Sequence, residues 1–79
     1  MLTNSESRML SSDVDKLARI TNGYISEGAK YEEITTDEWF DHEIQTIMDR
    51  YPEGNLDKTV VSERVKKIVK GLMNQHLHN

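Results

Sequence analysis

The chain has no cysteine, only one proline and only four glycines in its 79 residues. The lack of cysteine excludes disulfides, zinc sites built on thiolates and thiol nucleophiles. A chain this short without disulfide staples is typical of a reducing compartment, so we expect the protein in the cytoplasm. No apolar run approaches the roughly 18 residues of a membrane span, and the polar first residues lack the parts of a signal peptide. We therefore expect no contact with a membrane.

Sequence motifs of catalysis and of nucleotide binding are missing as well. The chain contains no Gly-x-Ser-x-Gly, no phosphate-binding glycine loop, no dinucleotide fingerprint and no His-Glu-x-x-His. Carboxylates are abundant, but general acid–base catalysis needs a pair of them in a desolvated cleft. A helical domain of this size seldom encloses a pocket of a few hundred Å³. We expect a protein that is not an enzyme and that takes no cofactor.

The apolar content is just sufficient for one small core. Leu, Ile, Val and Phe supply 18 of the 79 residues, slightly more than the fraction at which chains remain disordered. We expect a single helical domain over residues 1–79, with frayed ends at about 1–9 and 75–79. A core this thin gives a stability of only a few kcal/mol, which favours association with a partner or the formation of a homo-oligomer.

Apolar periodicity predicts a first helix over about residues 12–27. Its stripe recurs at helical spacing, at Leu10, Val14, Leu17, Thr21 and Tyr24. Ser12 is the predicted N-cap, and Gly28 is the predicted C′ residue that ends the helix. The Asn-Gly pair at 22–23 leaves a β-hairpin over residues 20–25 open as an alternative, because this pair favours two-residue hairpin turns.

The same periodicity predicts two more helices after a connection at residues 29–35. The second covers about 36–51, starts from a capping box at 35–38 and stops before Pro52. The third covers about 57–75, with Asp57 as its N-cap and Leu56 packing on Val61 as a hydrophobic staple. The second stripe consists of Phe40, Ile44, Ile47, Met48 and Tyr51. Three amphipathic helices with short connections predict an all-α fold, a small three-helix bundle.

Charge is divided unevenly along the chain, although its net value is only −4. Residues 27–57 hold ten acidic and two basic side chains, whereas residues 58–79 hold five basic and one acidic side chain. The simplest interpretation is structural, since the second and third helices are neighbours and their opposite charges can complement each other at the rim. Each such exposed pair contributes about 1 kcal/mol at most. Either charged surface is also a candidate binding site.

The acidic surface of the second helix is the site that we favour. We expect a regulatory or adaptor protein whose partner, a protein of unknown identity, contacts Asp37, Glu38, Trp39, Asp41 and Glu43. Trp39 lies about 100° from the centre of the apolar stripe. It therefore either packs at the edge of the core across the first helix or is an exposed interface anchor. Tyr24 and Tyr31 flank the first connection and can extend such a patch.

Nucleic-acid binding through the third helix is the alternative function. The apolar stripe of that helix consists of Val61, Val65, Ile68 and Leu72. Lys66, Lys67 and Lys70 lie on the opposite side, and exposed lysines can contact phosphates. However, the first turn of the helix offers little chemistry for reading bases. The sequence pI of about 5.2 is also far below the basic signature of nucleic-acid-binding domains. A third class, an acidic surface that imitates a nucleic-acid backbone, remains open.

Histidine provides only half of a metal site. Glu38 and His42 are spaced four residues apart, as two metal ligands on one helix face would be, but His42 lies on the polar side of its helix. His76 and His78 are close together near the C-terminal end, where they would bind a metal only adventitiously. We expect no metal centre.

Overall fold

The computed structural model describes residues 1–77, with side chains described for residues 1–75, and this part of the chain is helical. The bounds are α1 Asn4–Ser26, α2 Tyr31–Thr35, α3 Glu38–Asp49 and α4 Lys58–Leu77, with one 3₁₀ turn at Pro52–Gly54. The three long helices form a small all-α bundle, as the sequence predicts. The last two residues of the predicted frayed segment 75–79 and the side chains of both C-terminal histidines lie outside the described residues.

No strand forms within residues 1–77, so the hairpin alternative for residues 20–25 is wrong. These residues belong to α1, because the stripe continues through the Asn-Gly pair and Thr21 is completely buried. Within the same residues, no helix is both long enough and apolar enough to cross a bilayer.

The first helix begins at Asn4, eight residues before the predicted start. Thr3 is the N-cap: the Glu6 amide donates to Thr3 Oγ1 over 3.1 Å, and the Thr3 amide donates to Glu6 Oε1 over 3.0 Å. This capping box lies ahead of the first core residue, so the predicted cap Ser12 is wrong and lies exposed inside the helix. The hydrogen bond from the Thr3 backbone lowers the pKa of the Glu6 carboxyl. Residues 4–9, predicted to fray, are helical.

The end of α1 follows the prediction. Gly28 has a φ of 118°, which a residue with a Cβ rarely adopts. Its amide donates to the Ile25 carbonyl over 3.0 Å, and the Ala29 amide donates to the Tyr24 carbonyl over 3.0 Å. This pair of bonds is a Schellman motif, which satisfies two carbonyls that the helix end would otherwise leave without partners.

The predicted connection at 29–35 contains the short helix α2, and the predicted capping box at 35–38 is wrong. Thr35 is buried at the end of α2, and its hydroxyl donates back to the Tyr31 carbonyl over 2.7 Å. Asp37 caps α3 instead, since its Oδ2 accepts from the Trp39 amide over 2.8 Å. A threonine hydroxyl that bonds within its own helical turn is no longer available to cap the next helix.

The start of α4 is the one predicted. Asp57 Oδ1 accepts from the Thr59 amide over 2.8 Å, and the Asp57 carbonyl accepts from the Val61 amide. Leu56 is partly buried and packs against the core cluster to which Val61 belongs. Helix α4 continues through Gly71 rather than ending there.

The core lies between α1 and the two other long helices. Its buried apolar residues are Leu10, Val14, Leu17, Ala18, Phe40, Ile44, Ile47, Tyr51, Val61, Val65 and Val69. Helices α1 and α3 are antiparallel, because Asp13 contacts Arg50 whereas Tyr24 contacts Trp39. Helix α4 runs in the same direction as α1, since Met1 bonds to the Glu53 carbonyl before α4 and Ser11 bonds to Arg64 within it. The bundle is flat, with principal axes of 38, 26 and 15 Å.

Substitution by alanine should change stability in opposite directions at Gly23, inside α1, and at Gly28, just after its end. Gly28→Ala forces a Cβ into a positive φ and should lower the free energy of unfolding by about 1 kcal/mol. Gly23→Ala lies inside α1, where an added Cβ meets no atom within 4 Å, and should raise that free energy by up to about 1 kcal/mol. Urea denaturation followed by circular dichroism measures both. A stabilising Gly28→Ala would contradict the assigned end of α1.

Candidate protein-binding surface

Helices α1 and α3 lie side by side in one antiparallel register. At one end Asp13 Oδ1 lies 3.2 Å from Arg50 Nη1, and at the other end the rings of Tyr24 and Trp39 are 5.3 Å apart at 82°. Between these two ends, Ile20 and Glu43 line a common groove. The register places one row of α1 side chains, four residues apart, along one row of α3 side chains.

This surface, which we call the α1–α3 face, is formed by Lys16, Ile20, Tyr24, Trp39, Glu43 and Thr46. Its groove has a volume of about 190 Å³, and the buried side chains of Leu17 and Ile47 form the floor. Ile20 is 52% exposed and Tyr24 is 46% exposed, although both lie on a helix that supplies much of the core. The face therefore combines an apolar centre with charges on either side.

Trp39 lies across α1, as one of the two sequence interpretations predicts. Its ring is partly buried, packs against the core and meets the Tyr24 ring edge to face. Tyr24 thus extends the aromatic patch, whereas Tyr31 does not join it. The ring of Tyr31 instead lies 5.4 Å from the Lys70 ammonium, a cation–π contact with α4.

The acidic residues predicted to act together are divided between two sides of α3. Glu43 lies on the α1–α3 face with Trp39. Asp37 and Asp41 line a separate cleft towards α4, and Glu38 is exposed at the first turn. The predicted set is therefore not one surface, because positions 37 and 41 are one helical row and positions 39 and 43 are another.

The cleft between α3 and α4 has a volume of about 350 Å³ and carries charges of both signs. Asp41 Oδ1 lies 2.8 Å from Lys58 Nζ, which is the complementary pairing predicted for the acidic and basic helices. Phe40 and Ile44 supply the apolar part of the lining. Among the side chains of residues 1–75, no buried polar atom lacks a hydrogen-bond partner, so no buried group in the cleft is left unpaired.

The three lysines of the alternative function have three different environments. Lys66 is only 28% exposed, lies 3.8 Å from Glu63 and lines the cleft that also contains Asp37 and Asp41. Lys70 lies over the Tyr31 ring. Lys67 is exposed to solvent. The carboxylates of the cleft beside this row reduce the attraction for phosphates that the lysines would otherwise provide.

His42 is exposed on α3, one turn after Glu38. Within the described side chains, no three His, Asp or Glu residues lie close enough together to hold a metal ion. A two-residue half-site has too few ligands for a stable metal centre.

A hydrogen-bonded group at the Asp13 end of the face was not recognised from the sequence. The Tyr51 hydroxyl donates to Asp13 Oδ2 over 2.6 Å, and the other carboxylate oxygen pairs with Arg50. This bond raises the pKa of Tyr51, because tyrosinate cannot donate it, and burial raises that pKa further. The available signal was chemical: a tyrosine on a core stripe needs a partner for its hydroxyl.

Removing this hydroxyl should destabilise the protein. Tyr51→Phe should lower the free energy of unfolding at neutral pH by about 1–3 kcal/mol, since the lost bond has a charged acceptor. The matched control is Tyr24→Phe, which lacks the same atom at a half-exposed position and should change stability by less than about 0.5 kcal/mol. Equal effects of the two variants in urea denaturation would contradict the role of the Asp13 bond.

The same bond should make stability depend on alkaline pH. Because the pKa of Tyr51 is higher in the folded state than the unfolded value of about 10, the stabilisation is complete below that pH. It is lost as the pH rises through the folded pKa. The difference in unfolding free energy between wild type and Tyr51→Phe should therefore shrink above about pH 10. A constant difference from about pH 8 to about pH 11 would contradict this linkage.

Comparison with protein families, with curated protein sequences and with solved structures found no match for this chain. Function therefore has to follow from the chain's own surfaces. Of these, the α1–α3 face is the one that exposes large apolar side chains beside a tryptophan within residues 1–75.

Proposed function

We propose that this protein is a non-catalytic regulatory or adaptor module that binds a protein partner through the α1–α3 face. The observation that carries the proposal is the alignment of half-exposed Ile20 and Tyr24 with the ring of Trp39. Exposed apolar side chains that form one patch rimmed by polar residues are typical of protein-binding surfaces.

The composition of the face suits a binding site for protein. Tryptophan and tyrosine are enriched among the residues that dominate binding energy, and they contribute most when a partner removes water around them. Trp39 and Tyr24 hold each other in an edge-to-face contact, so little conformational freedom is lost on binding. The groove beside Ile20 offers a partner side chain an apolar floor.

The acidic residues of α3 extend the proposed surface by a longer-range effect. Glu43 lies on the face itself, whereas Glu38, Asp37 and Asp41 are exposed close to the Trp39 end of α3. Their negative potential increases the rate at which a partner with basic residues approaches. In the proposal, the aromatic and apolar side chains supply affinity, and the four carboxylates supply orientation.

The row of lysines on α4 supports a nucleic-acid function less well. Binding to phosphates needs several cations that act on one backbone. Lys66 is partly buried beside Glu63, and Lys70 is engaged with Tyr31. The α1–α3 face is therefore the better-supported site.

A photocrosslinking experiment tests the proposal for a partner of any identity. A photoreactive p-benzoylphenylalanine replaces Ile20 in one chain and Val60 in the control chain, because Val60 is similarly exposed, at 57% against 52%, but lies on α4. Each labelled chain is irradiated in an extract of its source cells. We expect a discrete crosslinked product from position 20 that the control position does not give.

Competition then identifies the residues responsible for binding. Excess unlabelled wild-type chain should suppress the product, whereas Trp39→Ala should be at least roughly 30-fold less effective, the loss typical of a binding hot spot. Ile20→Glu should also fail, and it keeps the fold because the side chain is half exposed. If folded Trp39→Ala and Ile20→Glu compete as well as wild type, the proposed site is wrong.

A further inference from the structure

We propose that the partner bound by the α1–α3 face is a second copy of this chain, related to the first by a two-fold axis through the groove. The inference rests on the proposed function and gives its partner an identity. In a two-fold interface the same patch occurs on both sides, so a suitable patch must be complementary to itself. The α1–α3 face meets this condition in both shape and charge.

The shape of the face provides a projection and a recess next to each other. Ile20 projects into solvent, and the groove floor of Leu17 and Ile47 lies immediately beside it. When two copies face each other with α1 of each copy against α3 of the other, each Ile20 can enter the groove of the other copy. Both contacts form at once, because the axis relates them.

The charge of the face changes sign across the groove, from α1 to α3. Lys16 lies one turn before Ile20 on α1, whereas Glu43 lies across the groove from Ile20 on α3. In residues 1–75, neither Lys16 nor Glu43 has an opposite charge within 4.0 Å. An axis between these two side chains brings Lys16 of each copy opposite Glu43 of the other.

The neighbouring charges do not oppose this arrangement. Arg50 at the Lys16 end is paired with Asp13, and Arg19 is paired with Asp15 over 2.9 Å. The Lys16 end therefore keeps about one positive charge, which lies opposite Glu43 of the second copy. An arrangement with α1 against α1 of the other copy would not form this pair, because Lys16 and Glu43 belong to different helices.

The extent of the face sets the strength of the dimer. The stretch of α1 from Asp13 to Tyr24 is about 17 Å long at 1.5 Å per residue, so the contact is smaller than a standard interface of about 800 Å² per partner. We expect a weak, reversible dimer with a Kd on the order of 10–100 µM.

Sedimentation equilibrium of the full chain tests this dimer directly. Between about 1 µM and about 1 mM, the weight-average mass of wild type should rise from close to 9.2 kDa towards twice that value. Ile20→Glu should stay monomeric, with an unchanged helical spectrum, and Val60→Glu, the control at a similarly exposed position, should dimerise like wild type. A wild-type chain that stays monomeric throughout, or equal dimerisation of both variants, overturns the proposal.

A charge exchange tests the orientation of the two copies. Lys16→Glu and Glu43→Lys should each weaken the homodimer at least tenfold, because both symmetric pairs become repulsive. A mixture of the two single variants should dimerise again, since each chain then offers the charge that the other lacks. Neither variant can form the opposite-charge pairs with itself, so dimerisation of the mixture requires contact between two different variants. A mixture that stays monomeric overturns this two-fold arrangement.

The two proposals fail in different ways. If wild type is monomeric but position 20 crosslinks to a different protein, the second copy is excluded as partner and the binding face remains. If neither dimerisation nor crosslinking at position 20 occurs, both proposals are overturned. If the crosslinked product has twice the chain mass, both are supported.

Discussion

The bundle depends on the burial of one stripe of α1, because α2, α3 and α4 all pack against this helix. Val14, Ala18 and Thr21 have no exposed surface. The only polar side-chain group among them, the Thr21 hydroxyl, donates to the Leu17 carbonyl over 2.8 Å, so no buried donor is left unpaired. Since a single stripe serves the whole bundle, Ile20 beside it and Tyr24, the last residue predicted to belong to it, remain partly in water. The candidate site is thus a by-product of how the core is distributed.

Features that depend only on residues close together in the sequence were predictable. The stripe of α3, the Asp57 cap and the Gly28 end all follow from spacing and from the chemistry of single residues. The start of α1 was missed although its capping box was visible, because the apolar periodicity begins only at Leu10. Helix α2 was missed because five residues are too few to show a period.

The candidate site was only partly predictable, because its members come from two helices. The sequence pattern predicts that Trp39 and the carboxylates of α3 form one surface. In the structure they belong to two helical rows, one with positions 37 and 41 and the other with positions 39 and 43. Which row faces α1 depends on the packing of the bundle, and so does the pairing of Asp13 with Tyr51. Contacts between distant residues depend on topology, and periodicity carries information only about each helix by itself.

The flatness of the bundle bears on how this sequence can change over time. With a shortest axis of 15 Å, the core among residues 1–75 consists of eleven apolar side chains and two threonines. Substitutions elsewhere on the surface typically change stability by less than about 0.5 kcal/mol. Most positions are therefore nearly free to drift, and selection for folding acts on a small minority. A chain of this kind can keep its helices while its sequence diverges quickly, and lasting restraint on an exposed position such as Ile20 would then reflect binding rather than folding.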